Sequence, residues 1–311
     1  MKPFFKTKKG RLYVGHVEDV LATNVGKNLQ GKVQLLLTSP PFPLNHKKSY
    51  GNLTGAEYVK WLADFAPIFA KLLKPDGSIV IEIGNAWEPK RPVQSLMSLK
   101  ALLAFAEHPQ AHLRLCQEFV CYNRARLPSP AEWVTVRRIR VKDSYTHVWW
   151  LATDDKPKSN NRNVPKEYSA SMKRLLKRQK YNAGARPSGY VISETSFFTD
   201  NGGAIPSNLI EFSNTQSSDS YLRACKTQEV KPHPARMPKA IPEFFIKLLT
   251  DEGDLVFDPF GGSNVTGAVA ESLGRRWVTI EAQEEYARQS SWRFELPKKN
   301  RASSSHKLQK S

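Results

Sequence analysis

The feature that most constrains this chain lies near its C-terminal end. Residues 254–257 read as a short buried strand running into Asp258-Pro259-Phe260-Gly261-Gly262-Ser263-Asn264-Val265-Thr266-Gly267. A helix is predicted over 266–272, and a second strand over 277–280 ends at Glu281. Strand, glycine-rich turn, helix and a strand closed by an acid make a nucleotide-binding βαβ unit: the glycines let backbone approach a ligand, and the acid accepts ribose hydroxyls. A unit of this kind implies an α/β domain built on a parallel sheet. Glu281 follows Gly261 by 20 residues (281 − 261), the separation the pattern expects. The loop is not GxGxxG and contains no GK[ST], so neither the dinucleotide fingerprint nor a phosphate-gripping loop is met. An adenosine-type cofactor without phosphates fits better. The plain alternative is a tight packing turn.

A second constellation comes much earlier. The apolar run 33–37 reads as a buried strand that stops at Ser39-Pro40-Pro41-Phe42. Proline lacks the N–H needed to continue a ladder, and a residue before proline is pushed to extended backbone. The result is a rigid loop at the C-terminal edge of a sheet, where open α/β sheets bind ligands. It offers the Ser39 hydroxyl, carbonyls without adjacent donors, and the flat ring of Phe42, a set that can grip a planar ring bearing an exocyclic amine. An ordinary strand-end turn is the alternative. The order of the two loops matters. A cofactor βαβ unit normally opens its domain, whereas this one closes it, so one shared sheet requires a circularly permuted chain.

Between the loops the sequence changes character. Strands are predicted over 11–14, 78–83, 113–122 and 148–152, with helices over 58–73 and 93–106 and a turn at Lys74-Pro75-Asp76-Gly77. Residues 123–142 carry Arg124, Arg126, Arg137, Arg138 and Arg140 around Trp133, a pattern suited to phosphates and unstacked bases. A solvated charged face is the competing reading. From 153 to 231 polar residues dominate, apart from a short basic helix over 171–180 and turn signals at Arg186-Pro187-Ser188-Gly189, so this stretch reads as a separate small lobe. Helices return over 241–249 and 284–294, while residues 1–11 are expected to be mobile and the basic, Ser-rich tail from 297 disordered. The 47 Lys and Arg against 29 Asp and Glu leave +18, which points to a polyanionic partner. Cys116, Cys121 and Cys225 form no CxxC pair, so neither a zinc site nor a disulfide framework is expected. No apolar run approaches a membrane span, and the basic start lacks the apolar segment of a signal peptide.

Taken together, TSPPF, KKSYGN, LPSPAEWV, RRIRVKD, VWW, RPSG, DNGGAIPSNL, HPAR, IPEFFI and FGGSNVTG, in that order, resemble the β-class DNA amino-methyltransferases over roughly residues 10–295. The resemblance implies a circularly permuted, Rossmann-like S-adenosylmethionine-dependent methyltransferase sheet with an inserted target-recognition lobe. It assigns 1–152 and 232–296 to the methyltransferase domain, 153–231 to target recognition and 297–311 to a tail. Ser39, Pro40, Pro41 and Phe42 match the family's catalytic loop. Phe260, Gly261, Gly262, Ser263, Asn264 and Thr266 match its cofactor loop, Glu281 its ribose-binding acid, and His233, Pro234 and Arg236 the segment that closes over the methionine end. His16 stands where the family usually has the Asp that holds the adenine amine, and a neutral ring nitrogen could still accept that bond. Lys47, Lys48, Arg124, Arg126, Arg137, Arg138, Arg140 and Arg186 are the expected DNA contacts.

By this resemblance the chain is a site-specific, prokaryotic, cytoplasmic DNA methyltransferase that uses S-adenosyl-L-methionine and no metal. It would protect double-stranded DNA beside a cognate restriction endonuclease with which it forms no stable complex. The target base is flipped out, Phe42 stacks on it, and Ser39 with the Pro40 carbonyl engages its amine. The absence of a Pro-Cys motif fits direct transfer without a covalent intermediate. Ser before Pro-Pro favours the N4 amine of cytosine. N6 of adenine is the alternative within the class, and a non-catalytic nucleic-acid-binding protein the alternative outside it.

Overall fold

The computed structural model describes residues 1–42, 55–193, 195, 197–212 and 219–295. The chain begins with β1 (Phe5–Lys6), β2 (Gly10–Val14), α1 (Val17–Leu21), α2 (Asn24–Leu29), β3 (Val33–Thr38), α3 (Gly55–Leu72) and β4 (Leu73–Gly84). A hairpin of β5 (Ala86–Trp87) and β6 (Gln94–Ser95) leads to α4 (Met97–Ala106), β7 (Arg114–Asn123) and β8 (Tyr145–Ala152). Next come α5 (Ala170–Arg178), a hairpin of β9 (Gly184–Ala185) and β10 (Val191–Ile192), β11 (Leu209–Phe212) and α6 (Ser220–Thr227). The last elements are α7 (Ala240–Leu249), β12 (Leu255–Asp258), α8 (Val265–Ser272), β13 (Arg276–Glu281) and α9 (Glu284–Ser290).

Nine strands form one sheet in the order β1-β2-β13-β12-β3-β4-β8-β7-β11. The stretch from β2 to β4 is parallel throughout, and β8 runs antiparallel to both neighbours. Helices cover both faces, so the central strands carry near-continuous apolar runs rather than alternating ones. β3 is buried at every position. Its Leu36 joins Ile79, Ile81 and Phe257 on one face, under Tyr58, Leu62, Phe65 and Phe69 of α3. Leu35 and Leu37 join Val80 and Val256 on the other, against Ile241, Phe245 and Leu249 of α7. Each such side chain contributes about 1.5–3 kcal/mol of burial.

Several expectations change in detail. The start of the chain is held, not mobile: β1 pairs with β2, and the Phe5 ring sits 5.6 Å from Phe294. The turn at Lys74–Gly77 survives inside β4, where pairing jumps from Val33–Leu73 to Leu35–Ser78. The helix foreseen from residue 93 begins at Met97, because Gln94–Ser95 pairs with Ala86–Trp87 instead. The final helix stops at Ser290 and tightens into a 3₁₀ turn over Ser291–Arg293. Part of the polar stretch 153–231 is built into the sheet rather than set apart: β11 pairs in parallel with β7. α6 likewise buries Tyr221, Ala224 and Cys225. The alternation that marks a strand is faint in a four-residue edge strand, which is why that attachment was not legible. The tail from 297 and the loop carrying Lys47 and Lys48 lie outside the described residues.

Candidate active site

Because β12 lies between β13 and β3, the loops leaving β3 and β12 are neighbours at one edge of the sheet. A buried bond ties them. Thr38 Oγ1 donates to Asp258 Oδ1 at 2.7 Å, and the Phe260 N–H donates to the same oxygen at 3.1 Å. Burial pushes the Asp258 carboxyl up to about 6, opposed by the Thr38 and Thr266 hydroxyls and the Phe260 N–H. The two strand ends are therefore held as one unit, although 220 residues separate Thr38 from Asp258.

The glycine turn is fixed from both sides. Gly262 adopts φ +52°, a conformation that favours glycine, and an added Cβ would sit 3.2 Å from the His233 ring. Its N–H donates to Glu281 Oε2 at 2.8 Å, while the Gln283 N–H donates to Oε1 at 2.8 Å. Burial raises the Glu281 carboxyl, and these two N–H donors oppose it. Each oxygen keeps a lone pair for a further donor. Asn264, fully buried, caps α8 by accepting from the Gly267 N–H at 3.1 Å. Ser263 is held by Arg293, whose Nη2 donates to the hydroxyl at 3.0 Å and whose Nη1 reaches Asp219 at 3.1 Å.

These loops open into a cleft of about 630 Å³ lined by Ser39, Pro40, Pro41, Phe42, His16, His233, Pro234, Arg236, Phe260, Gly261, Gly262, Ser263, Thr266 and Glu281. That volume is ordinary for a small-molecule site. Of the expected catalytic and cofactor residues only Asn264 stays out of it, acting from beneath as the helix cap. One half of the cleft suits a nucleoside. Trp61 and Phe260 form an aromatic wall with ring centres 5.5 Å apart. The fully buried Tyr58 lines the same cleft, and its hydroxyl has no hydrogen-bond partner among the described residues. An orphaned hydroxyl, a glycine turn and an acid with free lone pairs fit a ligand carrying a sugar and a heteroaromatic ring. His16 is exposed at the start of α1 and caps nothing with its side chain. Two residues on, Glu18 lines the same cleft and accepts from Trp61 Nε1 at 3.3 Å.

The other half is built around an acid. Glu82 of β4 is 4% exposed. It accepts from Thr146 Oγ1 at 2.9 Å and from the Ser39 hydroxyl. Burial raises its carboxyl strongly, and Thr146, Ser39 and the Arg126 charge pull the other way. The Phe42 ring lies over Gly84, where a Cβ would come within 2.5 Å of it. Cys121 also faces the cleft, but burial and the Glu82 charge raise its thiol, so it is a poor nucleophile.

Residues 33–291 match the DNA methylase family. The chain belongs to that family. It is 42% identical to the type II methyltransferase M.PvuII of Proteus hauseri over 295 residues, covering 94% of this chain and 86% of the relative. The solved structure of PvuII DNA methyltransferase (cytosine-N4-specific) superposes with a TM-score of 0.74 at 38% identity, over 94% of this chain and 89% of that one. The M1.HpyAVI–SAM complex shares the fold, with a TM-score of 0.53 at 18% identity over 91% of this chain and 99% of that one. Methyltransferases on this sheet thus include one solved with S-adenosylmethionine bound.

The expected DNA-contact arginines fall into two groups. Arg126 lines the cleft beside Glu82. The others stand outside it. Arg124 pairs with Glu211. Arg137 pairs with Glu132 at 2.8 Å and stands 5.6 Å over Trp133. Arg140 donates to the Pro92 carbonyl at 3.0 Å, Arg138 is exposed, and Arg186 stands 5.9 Å over Tyr181 in the stretch between β9 and β10 and α5. Sequence reasoning missed Glu82, Arg293 and Tyr58. For Glu82 a signal existed: it is the lone acid in an otherwise apolar strand, Ile79 to Ile83, and an acid is almost never fully buried without a partner.

Proposed function

We propose that this chain transfers a methyl group from S-adenosylmethionine to the N4 amine of cytosine in duplex DNA, as the protective half of a restriction–modification pair. One observation carries the reading: a serine, not an aspartate, precedes Pro40-Pro41, and its hydroxyl leans on a buried carboxylate. An ionised Asp at this position could only accept, whereas a hydroxyl can donate and accept. That suits cytosine, which presents an amine donor beside a ring-nitrogen acceptor. The likeness to M.PvuII supports the same choice, as does the +18 charge for a DNA substrate. Relative to a sheet whose cofactor unit comes first, the chain order is permuted.

In this reading the residues divide the work. S-adenosylmethionine, when bound, supplies an electrophilic methyl group on a sulfonium. Glu281 takes the ribose hydroxyls, Trp61 and Phe260 flank the adenine, and the His233–Arg236 segment covers the far end. Phe42 stacks on the flipped base. Ser39 Oγ and the Pro40 carbonyl accept the amine's protons and orient its lone pair, a gain from positioning rather than from covalent chemistry. Glu82 receives the released proton through Ser39, whose own hydroxyl proton already points at it. A carboxyl raised by burial suits that task near neutral pH. Residues 153–231 and the outer arginines read the DNA.

Among the described residues no helix is long and apolar enough to cross a membrane, and no cluster of His, Cys, Asp or Glu is placed to hold a metal. The deciding experiment is mass spectrometry of nucleosides from DNA methylated by the purified protein. N4-methylcytosine is expected. N6-methyladenine alone would overturn the choice of base, and no methylated base at all would leave the DNA-binding alternative.

A further inference from the structure

β7 and β8 end at the cleft with Asn123 and Thr146, and residues 124–144 span the gap between them. This span is fastened at its base. Lys142 Nζ donates to the Arg124 and Arg126 carbonyls at 3.1 and 3.4 Å, and Arg126 Nη1 donates to the Tyr145 carbonyl at 3.2 Å. The Asp143 N–H donates to the Ser129 carbonyl at 3.0 Å, and Asn85 holds the Asp143 carboxylate at 2.9 Å. On this fixed backbone Leu127 is 80% exposed. It directly follows Arg126, which lines the half of the cleft that holds Glu82. Successive Cα atoms are about 3.8 Å apart, so an aliphatic side chain is held in water at the rim of the base pocket. A single exposed leucine needs no explanation by itself. Its surroundings supply one, because the same span is strongly basic and therefore suited to lie along phosphates.

We infer that Leu127 is a wedge that enters the base stack at the target position when the target base leaves the duplex. The inference rests on the proposal that this chain methylates a flipped base. Extruding a base breaks stacking on both of its faces, and apolar side chains inserted between base steps are a recognised way to occupy such a gap. The fastened backbone keeps the wedge from folding back onto the protein. Arg126, one residue away, follows the extruded nucleotide into the cleft, while the remaining basic side chains of the span hold the flanking backbone. Leu127 is thus a positioning residue: it acts on the duplex, not on the reacting atoms.

The test uses the full-length protein and duplexes bearing the sequence it methylates in host DNA. In one duplex the target base is paired; in the other it faces an abasic site, so little pairing or stacking must be broken. Leu127→Ala should slow single-turnover methylation of the paired duplex about tenfold or more, yet match the wild-type protein within about twofold on the abasic duplex. Leu127→Met should retain the wild-type rate on both. Val136→Ala, which removes another exposed aliphatic side chain (70% exposed) from the same span, should change neither. Equal slowing of Leu127→Ala on both duplexes, or no slowing on either, overturns the wedge while leaving the methyltransferase reading in place. Failure of the wild-type protein to methylate either duplex overturns that reading and the wedge with it.

Discussion

Replacing Glu82 by Gln separates chemistry from architecture at the heart of the site. The two side chains are nearly isosteric, so packing in the strand Ile79 to Ile83 is preserved. The amide carbonyl can still accept from the Thr146 hydroxyl, which now lies 2.9 Å from Oε1. What is lost is the charge, and burial already works against that charge. Removing it should leave stability unchanged or slightly higher near neutral pH, because a buried carboxylate costs more than a buried amide with its partners met. Turnover should respond in the opposite sense. Loss of a positioned proton acceptor typically costs about 100- to 10,000-fold, which corresponds to about 3–5 kcal/mol of barrier. Single-turnover methylation should therefore collapse while calorimetric affinity for S-adenosylmethionine stays within about twofold, since Glu82 belongs to the base half of the cleft. The wild-type rate should also fall as pH drops and Glu82 takes up a proton, and Glu82→Gln should remove that dependence. A variant rate within threefold of wild type, with the acid limb of the profile intact, would refute Glu82 as acceptor and return the proton to solvent.

Three further outcomes are expected. The Asp258 carboxyl titrates at about 6 in the folded chain against about 3.9 unfolded. The folded state therefore binds more protons between these values, and stability is full below pH 4 and falls by about 3 kcal/mol as pH rises through 6; urea melts of Asp258→Asn, which keeps an acceptor for Thr38, should show a flatter profile. Arg293→Met removes the bonds to Ser263 and Asp219 and leaves the Asp219 charge facing a buried gap, so it should cost about 3–5 kcal/mol in denaturant melts, and a loss below 1 kcal/mol would show the loop stands without it. Glu281→Gln keeps an acceptor for the Gly262 N–H but removes the charge offered to the ribose, and should weaken S-adenosylmethionine by about 1.5–3 kcal/mol in calorimetry; unchanged affinity would sink the ribose assignment.

The sequence by itself determined the class of fold and both loops of the site. Apolar runs such as Leu35 to Leu37 and Val256-Phe257 saturate rather than alternate because both sheet faces are covered, and that saturation is visible in one dimension. Ser39-Pro40-Pro41 and Gly261-Gly262 are equally local, since proline and glycine act on their own backbone. Only the tertiary structure decided how these pieces meet. Thr38 finds Asp258, Ser39 and Thr146 find Glu82, and Arg293 finds Ser263. None of these pairs follows from a periodicity, because each joins side chains from distant stretches at the ends of strands whose order the chain does not reveal. The same holds for Arg126 and Leu127. Composition marked their span as basic, but only the pairing of β7 with β8 brings it to the rim of the cleft.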